Sequence, residues 1–187
     1  MGQEKKVLLE EEEVQRTITR MAHEIVEKNG GLDDLALIGI RSRGAHLVHR
    51  LARKIEALKG VAPYTGTIDV TPFRDDIERG RGPDAPAVSI SVDDKTVVLV
   101  DDVIYTGRTV RAALDLLSHL GKPKKILVAI LVDRGDRELP IKADIVGKNV
   151  QVENSERVNV LLQESDGVDR VTVTQNRQRI PFGKSLP

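Results

Sequence analysis

VVLVDDVIYTGRT, residues 97–109, reads as an apolar strand, a pair of acids and a glycine turn that opens a helix. The unbroken run Val97 to Val100 suits a strand buried on both faces. The carboxylates of Asp101 and Asp102, at its end, can accept hydrogen bonds from two ribose hydroxyls or from water on a magnesium ion. Thr106 to Thr109 then wraps into a helix N-terminus, where free backbone N–H groups and the helix dipole hold a phosphate. Thr106 and Thr109 add hydroxyl donors, and Gly107 permits close backbone approach or a positive φ. The needs of a ribose phosphate site meet in this one turn.

Outward from it, the pattern alternates between strands and helices. Val14, Ile18, Met21 and Ile25 recur at helical spacing and predict an amphipathic helix over about 10–28, closed by Gly30 and Gly31. LALIGI (35–40) is a second buried strand; the loop RSRG leads from it into a helix over about 45–58. YTGTIDV (64–70) predicts a strand. The stretch 71–91, with Pro72, Gly80, Gly82, Pro83 and Pro86, predicts a long mobile loop or flexible hairpin. A helix over 109–120 would turn Val110, Ala113, Leu114 and Leu117 inward and stop at Gly121 and Pro123. ILVAILV (126–132) is a third apolar strand, and weaker strands near 157–162 and 170–174 complete the pattern. This order predicts an α/β fold, a mainly parallel sheet with helices on both faces and ligands at the carboxyl ends of the strands. Charged loops begin there, at Arg41, Asp101 and Asp133. One domain is expected over 1–175, followed by a basic, weakly ordered tail over 176–187.

Composition narrows the chemistry. With 40% hydrophobic and 31% charged residues the chain lies in the globular range, and two Phe, two Tyr and no Trp make its core aliphatic. It has no cysteine, which excludes disulfides, thiolate metal sites and a cysteine nucleophile. The N-terminal stretch has no apolar segment of signal type and no long apolar run occurs, so the expectation is a cytoplasmic protein without a membrane span. Its 29 basic and 29 acidic residues cancel, so nucleic-acid binding would have to come from local asymmetry.

The chain resembles the type I phosphoribosyltransferases, and more closely the bifunctional pyrimidine-operon attenuation regulators that are also uracil phosphoribosyltransferases. TRMAHEIVEKN (19–29), IGIRSRG (38–44), IDVTPFRDD (68–76), the 97–109 motif and LVDRGDRELPIKADIVGKN (131–149) carry the resemblance, in that order. It implies conversion of uracil and phosphoribosyl pyrophosphate (PRPP) to UMP and pyrophosphate, with Mg²⁺ entering on PRPP and through water near Asp101 and Asp102, without a dedicated protein site. Ser42, Arg43 and Gly44 would form the pyrophosphate loop; Ser42 stands where Thr is more common in the family. Together with Asp101, Asp102, Val103, Tyr105, Thr106, Gly107, Arg108 and Thr109 they would bind PRPP. Residues 71–91 would close over it, with Arg74 as a charge clamp. Arg43, Arg74, Asp101 and Asp102 would be the catalytic set, and uracil would lie near Val132, Asp133, Arg134 and Arg137 under a small hood.

The resemblance also implies binding of pyrimidine-operon leader RNA, governed by UMP or UTP, through Thr19, His23, Lys28, Ser42, Arg137, Lys142 and Lys148. Lys28 and Lys142 stand where Arg is frequent, and Asp136 where His is common; an acid there opposes a phosphate. Thr19 and His23 fall on the helix face opposite Val14, Ile18 and Met21, together with Arg16 and Arg20. A homo-oligomer is implied, as a dimer or a dimer-built hexamer. The alternative is a salvage phosphoribosyltransferase for uracil or another base, with no RNA role.

Overall fold

The computed structural model describes residues 6–73 and 91–175. The elements are β1 (Lys6–Leu9), α1 (Glu11–Asn29), β2 (Leu35–Ile40), α2 (Arg43–Lys59), β3 (Tyr64–Ile68), a 3-10 turn (Thr71–Phe73), β4 (Thr96–Ile104), α3 (Arg108–Leu120), β5 (Lys125–Asp133), β6 (Ile145–Asn149), β7 (Glu156–Leu161), α4 (Gln163–Asp166) and β8 (Arg170–Gln175). Among the described residues, β3-β2-β4-β5-β6 form a five-stranded parallel sheet and β1-β8-β7 a three-stranded antiparallel sheet, the hood. The chain moves one way from β2 to β3 and the other way from β4 to β5. The carboxyl ends of β2 and β4 therefore flank the point where strand order reverses, where an open α/β sheet leaves a crevice for ligands.

Alternation within the strands builds two layers. Leu35, Leu37, Val98, Val100, Ala129 and Leu131 face α1 and α2, and the same core takes in Val158, Val160, Val171 and Val173 of the hood. Ile38, Ile40, Val97 and Leu99 face α3. Each fully buried Val, Leu or Ile contributes about 1.5–3 kcal/mol relative to exposure, so this shared core holds the hood against the main sheet. α1 begins where the Glu13 carboxylate accepts the Glu10 N–H at 2.9 Å and ends at Gly30, which takes the left-handed conformation (φ 74°).

The α/β architecture, the parallel sheet and the helices on both faces agree with expectation. The differences are local. β4 runs on through Asp101 and Asp102 to Ile104, because β5 continues to pair with it beyond the end of its β2 pairing at Val100. α2 starts at Arg43, so Arg43 and Gly44 belong to its first turn. β3 ends at Ile68 rather than residue 70. In α3, Ala112 and Leu116 are buried with Val110, Ala113 and Leu117, and Leu114 is half-buried, because the helix packs against two apolar clusters. β1, β6 and α4 are short elements that periodicity did not reveal. The expected flexible loop falls mainly at 74–90 and the tail at 176–187, both outside the described residues.

Candidate active site

The crevice is shaped first by glycines. After β2 the chain turns through a cis Arg41–Ser42 peptide and doubles back onto the sheet. A Cβ on Gly44 would lie 2.5 Å from the Val100 carbonyl oxygen, and one on Gly39 would lie 2.6 Å from the Gly44 carbonyl carbon. Only hydrogen fits at either position. The turn is thereby pressed against β4, one residue before the acid pair.

Asp101 is buried and Asp102 half-buried. An Asp101 oxygen accepts the Asp102 N–H at 2.9 Å, and an Asp102 oxygen accepts the Val103 N–H at 2.8 Å. Burial pushes the Asp102 carboxyl above the ordinary aspartate range, opposed by the Val103 N–H, by Asp101 and by the positive charge of Arg43. Arg43 in turn donates to both carboxylate oxygens of Asp166 in α4, at 3.0 and 3.2 Å. The Leu162 N–H first, and Arg43 with it, keep the Asp166 carboxyl below its usual value.

A cradle of backbone at the N-terminus of α3 follows. Gly107 takes φ 94° at the N-cap of α3, and Thr106 accepts the Arg108 N–H at 3.4 Å. Val103, Thr106, Arg108 and Thr109 are half-buried and Tyr105 is exposed at its mouth. The segment after β5 braces this turn: the Glu138 and Leu139 N–H groups donate to the Thr106 carbonyl at 3.0 and 3.2 Å, and Glu138 pairs with Arg108 at 2.8 Å. Arg137 donates to the Tyr105 carbonyl at 2.9 Å and pairs with Asp133 at 2.5 Å. Arg134 is buried, with its guanidinium 3.9 Å from the Tyr105 ring centre and one N–H donating to the Glu156 carbonyl at 3.0 Å. It links the cradle to the start of the hood. Val132 lies wholly inside the core.

Between the hood and the carboxyl edge of β4 lies a cavity of about 350 Å³, whose lining includes Arg43, Asp102, Arg157, Asn159, Thr172 and Thr174. The sequence reading named only the first two of these; it also missed Asp166 and Glu138. They lie roughly 30 to 120 residues from their partners, so no local motif marks them; alternation along the two hood strands is the signal that could have put Arg157 and Asn159 on one face.

The positions named for RNA are spread over more than one region. Thr19 and His23 share a groove between α1 and α2 with Gln15, Arg16, Arg20 and Lys54. Arg20 donates to the Val146 and Gly147 carbonyls at 3.0 and 2.5 Å, which ties that helix to β6, the strand carrying Lys148. Lys142 is exposed. Ser42 and Arg137 stand at the carboxyl edge of the sheet, whereas Lys28 borders Thr96, Lys124 and Lys125 at its amino edge. Asp136 is exposed in a turn with φ 55°. Arg74 lies outside the described residues. Among the described residues, no three or more His, Asp or Glu gather as metal ligands, and no helix is long and apolar enough to cross a membrane.

A parallel sheet with an acid pair and a helix-N-terminal cradle at its switch point, capped by a hood, defines a phosphoribosyltransferase. The chain belongs to the phosphoribosyl transferase domain family, whose model matches residues 6–163. Within it the chain belongs with the proteins named Bifunctional protein PyrR. It is 52% identical to that of Chloroflexus aurantiacus over 176 residues, 92% of this chain and 96% of the relative, and 50% identical to that of Clostridioides difficile, over 92% of this chain and 99% of the relative. The fold matches the hypoxanthine phosphoribosyltransferase of Trypanosoma cruzi solved with its product IMP, with a TM-score of 0.71 over 92% of this chain and 94% of that one, at 22% identity.

Proposed function

We propose that this chain is a uridine-nucleotide-dependent RNA-binding regulator of pyrimidine biosynthetic operons that also converts uracil and PRPP to UMP and pyrophosphate. What carries this reading is the acid pair at the carboxyl end of β4, leading straight into the α3 cradle, in a chain about half identical to bifunctional PyrR proteins. In the reaction, N1 of uracil displaces pyrophosphate from the ribose C1. Positive charge grows on the ribose ring and negative charge on the leaving group. Asp101 and Asp102 hold the ribose hydroxyls; the α3 N–H groups, Thr106 and Thr109 hold the 5′-phosphate; Arg43 and the backbone of Ser42 and Gly44 face the pyrophosphate. Asp101 and Asp102 would hold, through water, the Mg²⁺ that enters with PRPP, and the ion would supply further neutralisation of the leaving group. The raised Asp102 carboxyl fits such a place, since a nearby cation favours its ionised form.

Uridine nucleotide in this crevice and leader RNA on the α1 face with Lys148 would be linked. A nucleotide that favours the RNA-binding arrangement is itself held more tightly when RNA is present. The protein acts in the cytoplasm, as a dimer or a dimer-built hexamer. The enzyme half is tested by UMP formation from uracil, PRPP and Mg²⁺. The wild type turns over; folded Asp101→Asn with Asp102→Asn does not. Near-normal turnover by that double variant refutes the site assignment.

A further inference from the structure

The hood sheet has two unlike faces. Val158, Val160, Val171 and Val173 point into the core, while Arg157 and Asn159 of β7, opposite Thr174 and Thr172 of β8, line the cavity that Arg43 and Asp102 close from the other side. A polar face on a sheet that closes over a crevice is a place where a ligand edge can be read.

The side chain of Asn159 is fixed in orientation. Its amide nitrogen donates to the Thr174 hydroxyl at 3.0 Å and to the Arg157 carbonyl at 3.4 Å, so both of its N–H groups are engaged. Turning the amide over would forfeit the bond to the Arg157 carbonyl and set oxygen against oxygen there, since a carbonyl can only accept whereas the Thr174 hydroxyl could reverse its role. The group it presents to the cavity is therefore the acceptor Oδ1. Thr174, whose oxygen takes the Asn159 N–H, keeps its own hydroxyl hydrogen to give. Arg157 can only donate.

We infer that Asn159 reads the base: its Oδ1 accepts the N3–H of uracil, with donors from Arg157 and Thr174 meeting the flanking carbonyl oxygens. This rests on the function proposed above and names the residue that selects its base. Uracil offers acceptor, donor, acceptor along its O2, N3 and O4 edge, and the hood face is the complement. Cytosine has an acceptor at N3 and a donor at C4, so its N3 lone pair would face Oδ1 with no hydrogen between them. A site built to satisfy a substrate N–H rejects an analogue that lacks it, because its own buried polar group is left unpaired.

Steady-state kinetics with uracil and cytosine on the full chain test this. Asn159→Leu, close in shape, raises KM for uracil about tenfold or more and lowers the uracil-over-cytosine ratio of kcat/KM by a similar factor, the size expected for one lost hydrogen bond to a base. KM for PRPP stays within about threefold, because the ribose and phosphate contacts lie on other elements. Thr174→Val, a milder change, removes one of the two contacts that hold the amide together with the hydroxyl donor beside it, and also lowers the uracil-over-cytosine ratio. An unchanged ratio in either folded variant overturns the assignment of Asn159 while leaving the uracil reaction standing. A wild-type protein that forms no UMP from uracil overturns the proposed function and this inference with it.

Discussion

Gly44→Ala tests the idea that the Arg41 to Gly44 turn is held in place by contact of bare backbone with β4. The added Cβ would stand 2.5 Å from the Val100 carbonyl oxygen, about 0.9 Å inside the ordinary contact distance that begins at 3.4 Å. Neither side can yield cheaply. Val100 is buried in a strand paired on both sides, and the Gly44 carbonyl lies against Gly39. Forcing one carbon into a packed site costs about 1–3 kcal/mol, and at this chain length each kcal/mol shifts Tm by roughly 2–4 °C. Calorimetry should therefore record a fall of about 2–12 °C in a protein that still folds. The turn absorbs the displacement, which carries Arg43 away from Asp102. Misplacement of a reacting group by about 1 Å can cost roughly a hundredfold in rate, so UMP synthesis should fall by about two orders of magnitude. A Gly44→Ala protein with wild-type Tm and wild-type kcat/KM would mean that contact with β4 does not hold the turn in place.

The other predictions concern charge and the RNA face. Asp102→Asn should abolish UMP synthesis yet raise stability at neutral pH. Burial lifts the Asp102 carboxyl in the fold, so stability of the wild type declines as pH rises through the window between its ordinary and raised values. Thermal melts should show the gain above that window and its disappearance below the ordinary carboxylate range; a gain independent of pH would contradict this cause. Arg50→Met should cost about 3–5 kcal/mol in urea unfolding, because it removes the cation that the buried Asp169 meets at 2.7 Å and leaves that charge only the neutral Gln15 and Gln163 N–H donors. Burial pushes the Asp169 carboxyl up, but Arg50 and the Gln163 N–H outweigh it and hold it below its usual value. The stabilisation is present above the ordinary carboxylate pKa and disappears as pH falls through the lowered one, so wild type and variant should converge in strong acid. Thr19→Ala with His23→Ala should weaken leader-RNA binding at least tenfold, about 1.4 kcal/mol, and leave UMP synthesis within a few-fold. Undiminished binding would remove that face from the interface.

Legibility followed the range of the forces involved. The β4 and α3 motif could be read because strand, acids, turn glycine and helix start are consecutive, and each residue type meets a local need. The apolar runs at 35–40 and 126–132 gave the sheet for the same reason: strands buried on both faces have no polar positions to blur them. β6 escaped notice since IVGKN is an edge strand, with polar positions and Gly147 pressed against the Leu131 backbone. Asp166 and Glu138 could not be read as site residues at all, and of Asn159 only its place on one face of a hood strand was legible. Asp166 meets Arg43 because the hood docks over β4, and Glu138 meets Arg108 because the segment after β5 folds back on the turn into α3; sequence spacing holds no record of either contact.

The central claim is that one crevice makes uridine nucleotide and, when filled by it, tightens the grip of another surface on RNA. Filter binding of a pyrimidine-operon leader hairpin, titrated with the wild-type protein at low salt with and without UMP, measures that directly. Specific binding should strengthen with UMP, prefer the hairpin loop over a perfect duplex of equal length, and be matched by an equal tightening of UMP when RNA is present. No binding to the leader hairpin with UMP present would contradict that claim and leave a salvage enzyme.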